Sequence, residues 1–388
     1  MNNILIGTSG WSYKDWLNVF YTSDKKMFQQ YAKFFKTVEI DSSFYKQPTQ
    51  SFIQTIAKTS PKDFIFSIKV PKTVTHVKLM NLEKGAMKDL KTFLDTLAPL
   101  KNANKLGAVL FQLPPKPIEA FKGFEAFLKS LPDSYSFVIE FRDSSWIKED
   151  VFKLLSDNNV GYCIVDEPLL PTMLKVTGEF SYVRFHGRGS RPWYYYDYRL
   201  EELKEWKIKL EDLSKNSKRV YVYFNNHFKG YAVKNALQMM RIMENIEKHQ
   251  EEALNKILNY FAEEGLKRAI SRVEKVISSG DYSVETLVSA FLEGGRFERS
   301  KELIDKVIIE ESSGEIVKAK VKEYAIVINT LKKVLKHGCE DWSKRVSEKQ
   351  FCKHVAAVFL ALNKDKSRKI LEDIGKNLKD WAFEINCE

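Results

Sequence analysis

An alternation constrains this chain more than any other feature. Up to about Glu247, eight β-rich apolar runs ("ILIGTS", "TVEIDSSF", "FIFSIKV", "GAVLFQL", "SFVIEFR", "GYCIVD", "YVRFHG", "VYVYFNN") are separated by segments such as "KKMFQQYAKFF", "FKGFEAFLKSL", "WIKEDVFKLLSDN" and "ELKEWKIKLEDL". The intervening segments carry apolar residues three and four apart, the spacing of a helix with one buried face. A strand-then-helix unit repeated eight times over about 250 residues predicts a TIM-type (β/α)8 barrel for residues 1–248. The link from Glu167 to Glu179 is short and proline-rich, so one helix should be missing or vestigial there.

Past residue 250 the runs stop and helical periodicity with Lys/Glu surfaces continues, which predicts an all-α C-terminal domain over 249–388. "FAEEGLKRAISRVEKVI" from Phe261 resembles "FLEGGRFERSKELIDKVI" from Phe291, and "SSG" recurs at Ser278 and Ser312. That offset suits a helical-repeat array offering a surface to a protein partner, and an ordinary helical bundle fits equally well.

Charge divides along the same line. Residues 251–388 carry 25 Lys+Arg and 24 Asp+Glu, which from totals of 62 and 51 leaves 37 and 27 for residues 1–250, or about +10 against +1. A basic first domain favours anionic partners, small phosphorylated molecules or nucleic acid, over acidic ones. There is no 18-residue apolar run and no basic leader before an apolar stretch at "MNNILIGTSG", so the expectation is a cytoplasmic chain with no membrane partner. Four widely spaced cysteines do not make a disulfide framework.

In a barrel of this kind the working residues stand at the C-terminal ends of the strands. Those ends are polar here. In order they offer Trp11 after "GTSG"; Glu39 and Asp41, with Tyr45 beyond; Lys69, then His76; Gln112; Glu140 and Arg142; Asp166; Arg184, His186 and Arg188; and Asn225 with Asn226. Residues two apart on a strand share a face, so Glu39 pairs with Asp41, Glu140 with Arg142, and Arg184 with His186. If those faces point into the mouth, carboxylates, cations and an imidazole converge. A competing reading keeps the same charges as a buried ion-pair layer closing the barrel top.

"GTSGWSYKDW", "VEIDSSFYKQPT", "FIFSIKVPKTVTH", "LGAVLFQLPP", "VIEFRDSSW", "YVRFHGRG" and "YVYFNNHFKGYAVKNA", in that order over about residues 4–240, resemble the motifs of the YecE-like proteins, family 72 of the domains of unknown function. The resemblance implies a TIM-type barrel, related in shape to the metal-dependent endonuclease IV and sugar-isomerase barrels, and carries no settled activity. Asp41 stands where Asn is expected after "VEI", Asp143 where His is common after "EFR", and the tail lies outside the pattern.

Two functional classes follow. The first is a hydrolase or phosphodiesterase on a phosphorylated or nucleic-acid substrate, with Glu39 or Glu140 as acid/base, His186 polarising the reacting group, and Lys69, Arg142, Arg184 and Arg188 gripping the anion. In it Trp11, Tyr45, His76, Gln112, Asp166, Asn225 and Asn226 complete the ligand site. A divalent metal would need about three ligands from Glu39, His76, Glu140, Asp166, His186 and His227, none of which sits in a diagnostic local motif. The second class is a non-catalytic nucleic-acid-binding or adaptor protein. In the tail, "HGC" from His337, "CKH" from Cys352 and Cys387 contain no C-x-x-C pair, and the spacing reads as buried thiols rather than a zinc or iron–sulfur site.

Overall fold

The computed structural model describes residues 3–189 and 192–386. Arg191 of the seventh strand's loop and Cys387 of the tail lie outside them. Two compact units are formed, Met1–Ile257 and Leu258–Glu388.

The first unit holds eight strands at the eight apolar runs: β1 (Ile4–Thr8), β2 (Thr37–Ile40), β3 (Ile65–Lys69), β4 (Leu106–Gln112), β5 (Ser136–Glu140), β6 (Gly161–Asp166), β7 (Phe180–Phe185) and β8 (Arg219–Phe224). They pair in parallel in the order β1-β8-β7-β6-β5-β4-β3-β2. A bridge between Ser9 and Glu39 brings β1 alongside β2 and almost closes the ring. Each strand is covered inside and out, which is why the runs are continuously apolar rather than alternating. Inside the barrel, Ile65, Leu110, Val138, Val165, Tyr182 and Tyr223 form one buried cluster. The β1/β2 seam is tight: a Cβ at Gly7 would lie 2.3 Å from the Thr37 carbonyl oxygen, so only glycine fits. Between β6 and β7 no helix forms, as the short Glu167–Glu179 link requires.

The second unit is helical in part, as expected, but it is not all-α. Beside the helices Val284–Ala290, Lys353–Ala361 and Lys364–Lys376 it contains β9 (Val307–Glu311), β10 (Ile316–Val321), β11 (Tyr324–Asn329), β12 (Val334–His337) and β13 (Ala382–Ile385). These form one sheet in the order β13-β12-β11-β10-β9. In β10, Val317, Ala319 and Val321 are buried while Lys318 and Lys320 face water. That period-two pattern is a strand with one wet face, whose lysines mimic a charged helix surface in the sequence. The repeat is not structural either: Phe261 lies in the long helix Lys248–Ser278, Phe291 in a turn, and the second "SSG" between β9 and β10.

Candidate functional site

β7 supplies the centre of the mouth. Tyr182, Arg184 and His186 share one face by strand parity, and the Arg184 and His186 side chains are almost fully buried. The Arg184 guanidinium joins Glu39 Oε1 at 2.7 Å and Glu140 Oε2 at 2.5 Å. Tyr182 donates its hydroxyl proton to the other Glu39 oxygen at 2.6 Å. Arg142, two residues beyond Glu140, also pairs with Glu140 and reaches Glu167 at 2.5 Å. His186 Nε2 lies 2.9 Å from the Arg142 guanidinium and 3.2 Å from Glu140 Oε1, and Nδ1 lies 3.0 Å from the Asn225 amide. The charges at the strand ends thus form a buried ion-pair layer in which Glu39 and Glu140 are completely covered.

A cavity of about 500 Å³ opens above this layer. Lys69, Arg142, Arg184, His186, Gln112 and Asn225 line it together with Asp41, and Tyr45, Trp193, Tyr194, His227 and Phe228 form aromatic walls. The Lys69 amine sits 4.1 Å over the Phe44 ring. Unlike Arg142 and Arg184 it has no carboxylate within ion-pairing distance among the described residues. Burial, and then repulsion from Arg184, lowers its pKa to about 8 against the pull of Glu140, Glu39 and Asp41. Asp41 is shifted the other way: burial and the Glu39 charge raise its pKa, opposed by Lys69 and Arg184. The Glu167 carboxyl is pushed up to about 7 by burial in spite of Arg142. His186 is held neutral, its pKa lowered to about 3 by burial and by Arg142. Burial alone would raise Glu140, but the Arg142 and Arg184 guanidiniums and His186 hold it well below the usual carboxylate range.

Of the residues named from sequence, Lys69, Gln112, Arg142, Arg184, His186, Tyr45 and Asn225 meet at this cavity, as do Asp41 and the metal candidate His227, while Trp11, Glu39, His76, Glu140, Asp166, Arg188 and Asn226 do not line it. Glu39 and Glu140 lie in the layer beneath. Trp11 packs on Phe28 and Phe52. His76 is edge-on to Phe44 and bonded to the Thr75 hydroxyl. Asp166 accepts both arms of Arg188, at 2.8 and 2.6 Å, together with Trp206 Nε1 and the Tyr198 hydroxyl, so Arg188 and Asp166 satisfy each other. Asn226, on the opposite face from Asn225, is fully buried and donates to the Tyr196 carbonyl and to Asn235. Asp41 lines the cavity although the sequence reading gave it no role in the ligand site, and its carboxylate in place of Asn was a visible signal; Leu169, Trp193, Tyr194 and Phe228 line the cavity as well.

The mouth offers a metal little purchase, because the oxygens of Glu39, Glu140 and Asp166 already accept from Arg, Tyr and Trp donors. Among the described residues, the convergent group of His, Cys, Asp and Glu donors is His337, Cys339, Cys352 and His354, in the second unit. The arrangement at the mouth is an ion-paired floor under aromatic walls, with one amine that has no ion-pair partner among the described residues and two carboxyls, Asp41 and Glu167, of raised pKa.

Comparison with known proteins places residues 5–257 under the description "Protein of unknown function DUF72". The chain is 30% identical over 269 residues to UPF0759 protein YunF of Bacillus subtilis (strain 168), covering 62% of this chain and 95% of that one. It is 30% identical over 143 residues to UPF0759 protein YecE of Escherichia coli (strain K12), covering 36% and 48%. A solved DUF72 family protein from Thermotoga maritima MSB8 superposes with a TM-score of 0.57 at 34% identity, over 62% of this chain and 99% of that one. Another, from Enterococcus faecalis V583, gives 0.54 at 26% identity, over 62% and 95%.

Proposed function

The chain belongs to the DUF72 family, and from that premise we propose that the barrel mouth is an active site that binds an anionic small molecule and hydrolyses it. Lys69 and Arg142 hold the phosphate or carboxylate. Asp41, a stronger base for its raised pKa, takes the proton of the attacking water, and Lys69, poised near neutrality, returns one to the leaving group. Neutral His186 orients the ligand from the floor. The observation that carries this reading is Lys69: a buried ammonium lacking a paired carboxylate is costly, and a bound anion removes that cost. A cavity of about 500 Å³ lies in the usual range of small-molecule sites, and its aromatic walls suit the faces of a sugar or base. Glu39 and Glu140 take a supporting role here, fixing Arg184 rather than exchanging protons.

The test is release of phosphate from a pool of phosphomonoesters and phosphodiesters, with and without added divalent cations, by the wild-type chain and Asp41→Asn. Turnover that Asp41→Asn reduces at least tenfold supports the reading. Turnover that Asp41→Asn leaves unchanged removes Asp41 from the mechanism. Binding without turnover by either chain reduces the mouth to a binding site.

A further inference from the structure

β12 ends at His337, and the chain turns through Gly338 into Cys339, which caps the short helix Glu340–Ser343. Cys352 in turn caps the helix Lys353–Ala361, whose second residue is His354. The sequence distance between the two halves, Glu340 to Phe351, is closed by the fold. His337, Cys339, Cys352 and His354 are all buried, and each brings one donor atom within 4.8 Å of the other three. We propose that these four side chains hold one structural zinc ion in the second unit.

Two observations separate this site from an ordinary cluster of covered side chains. First, His337 Nε2 and His354 Nδ1 are buried with no hydrogen-bond partner. Two orphaned imidazole nitrogens in one core are costly, and a shared metal satisfies both. A disulfide between Cys339 and Cys352, the competing use of two neighbouring thiols, would leave both nitrogens stranded. Second, the surrounding backbone is arranged as it is around metal ligands. His337 Nδ1 lies 2.9 Å from the Ala325 carbonyl, which can only accept, so the proton sits on Nδ1 and the lone pair on Nε2. The Trp342 and Val355 amides donate to the sulfurs of Cys339 and Cys352 at 3.3 and 3.5 Å, contacts that favour thiolates.

The donor set selects the ion and its role. Two thiolates and two imidazoles are a zinc set, and with Zn–S about 2.3 Å and Zn–N about 2.0 Å the four donors of a tetrahedron lie roughly 3.3–3.8 Å apart. With all four positions filled by protein there is no open place for water, so the site is structural rather than catalytic. Tyr324 packs its ring on both His337 and His354, and Trp342 on His337. Gly338 is required by the turn, since a Cβ there would lie 2.6 Å from the Asn386 carbonyl oxygen. The ion would tie the end of β12 to the start of the helix Lys353–Ala361, joining sheet and helix.

The experiment is elemental analysis of the tag-free full-length chain, grown with zinc and purified without chelator, beside His354→Ala and His354→Cys. The expected result is about one zinc per wild-type chain, loss of at least 80% of it in His354→Ala, and retention in His354→Cys, which restores a fourth donor. Replacement by cobalt(II) should give the visible bands of a tetrahedral thiolate complex in the wild-type chain, a reading that does not depend on how well a variant folds. The proposal is overturned if wild-type protein neither carries zinc nor gives those bands on cobalt addition. A Cys339–Cys352 disulfide found by mass spectrometry in freshly prepared protein, or zinc undiminished in His354→Ala, overturns it equally.

Discussion

Replacing Arg184 by Met keeps the apolar stem and deletes the fork that holds the mouth together. In the wild-type chain the fork is 1% exposed and bridges two carboxylates that are fully covered, at 2.7 and 2.5 Å. Glu140 keeps Arg142 as a partner after the change, but Glu39 is left with the Tyr182 hydroxyl and no cation among the described residues. Breaking one side of a buried ion pair costs about 3–5 kcal/mol. At about 2–4 °C per kcal/mol for a unit of this size, the melting temperature should fall by roughly 6–20 °C. The deficit should depend on pH in a definite direction. The wild-type pairing holds Glu140 below its unfolded value of about 4.3, so its stabilisation is present above that pH and fades as pH falls through the folded value. Removing Arg184 takes away one of the two guanidiniums behind that depression, so the gap between wild type and variant should be wide at pH 7 and narrower at pH 3. Adding Glu39→Gln to Arg184→Met removes the stranded charge and should recover part of the loss. Differential scanning calorimetry of the three chains at the two pH values measures all of this. A variant that melts within about 2 °C of wild type, yet binds anions more weakly, would refute the ion-pair account and return Arg184 to the ligand.

Three further outcomes follow from the same geometry. Lys69 has a pKa near 8 in the fold and about 10.4 when unfolded, so the unfolded chain binds the extra proton and stability should rise between those pH values; Lys69→Met should lose that rise in denaturant melts. His186, with a pKa near 3, should show no ring titration by NMR between pH 8 and pH 5, and a midpoint near 6.5 would contradict its burial beside Arg142. Gly7→Ala forces a Cβ to 2.3 Å from the Thr37 carbonyl and should destabilise the first unit by about 1–3 kcal/mol or more in urea unfolding.

The barrel was legible because its eight runs are apolar on both faces, a signal that only a fully covered strand gives. Strand parity also put Arg184 with His186 and Glu140 with Arg142 before any coordinates. Parity could have separated Asn225 from Asn226 as well, since neighbours on a strand point oppositely and only Asn225 meets the mouth. What a strand end faces is not written in its own residues. Asp166 and Arg188 looked free, and it takes Trp206 from one helix and Tyr198 from a loop to show that they are spent on each other. The second unit misled for a different reason: Lys318 and Lys320 on the wet face of β10 imitate a charged helix surface. The His-Gly-Cys and Cys-Lys-His pairs stand far apart until β12 and the following helix bring them together.

The central claim is that Lys69 is the open cation of an anion site, and isothermal titration calorimetry of the wild-type chain and Lys69→Met at pH 7 tests it most directly. The probes are inorganic phosphate, pyrophosphate, ribose 5-phosphate and a nucleoside monophosphate. At least one should bind the wild-type chain, and Lys69→Met should weaken it by about 10- to 150-fold, the equivalent of roughly 1.5–3 kcal/mol for a hydrogen bond to a charged group. The wild-type affinity should also decline above pH 8 as the amine loses its proton. Equal affinity in the two chains, or no binding of any of these anions to the wild-type protein, would contradict the account.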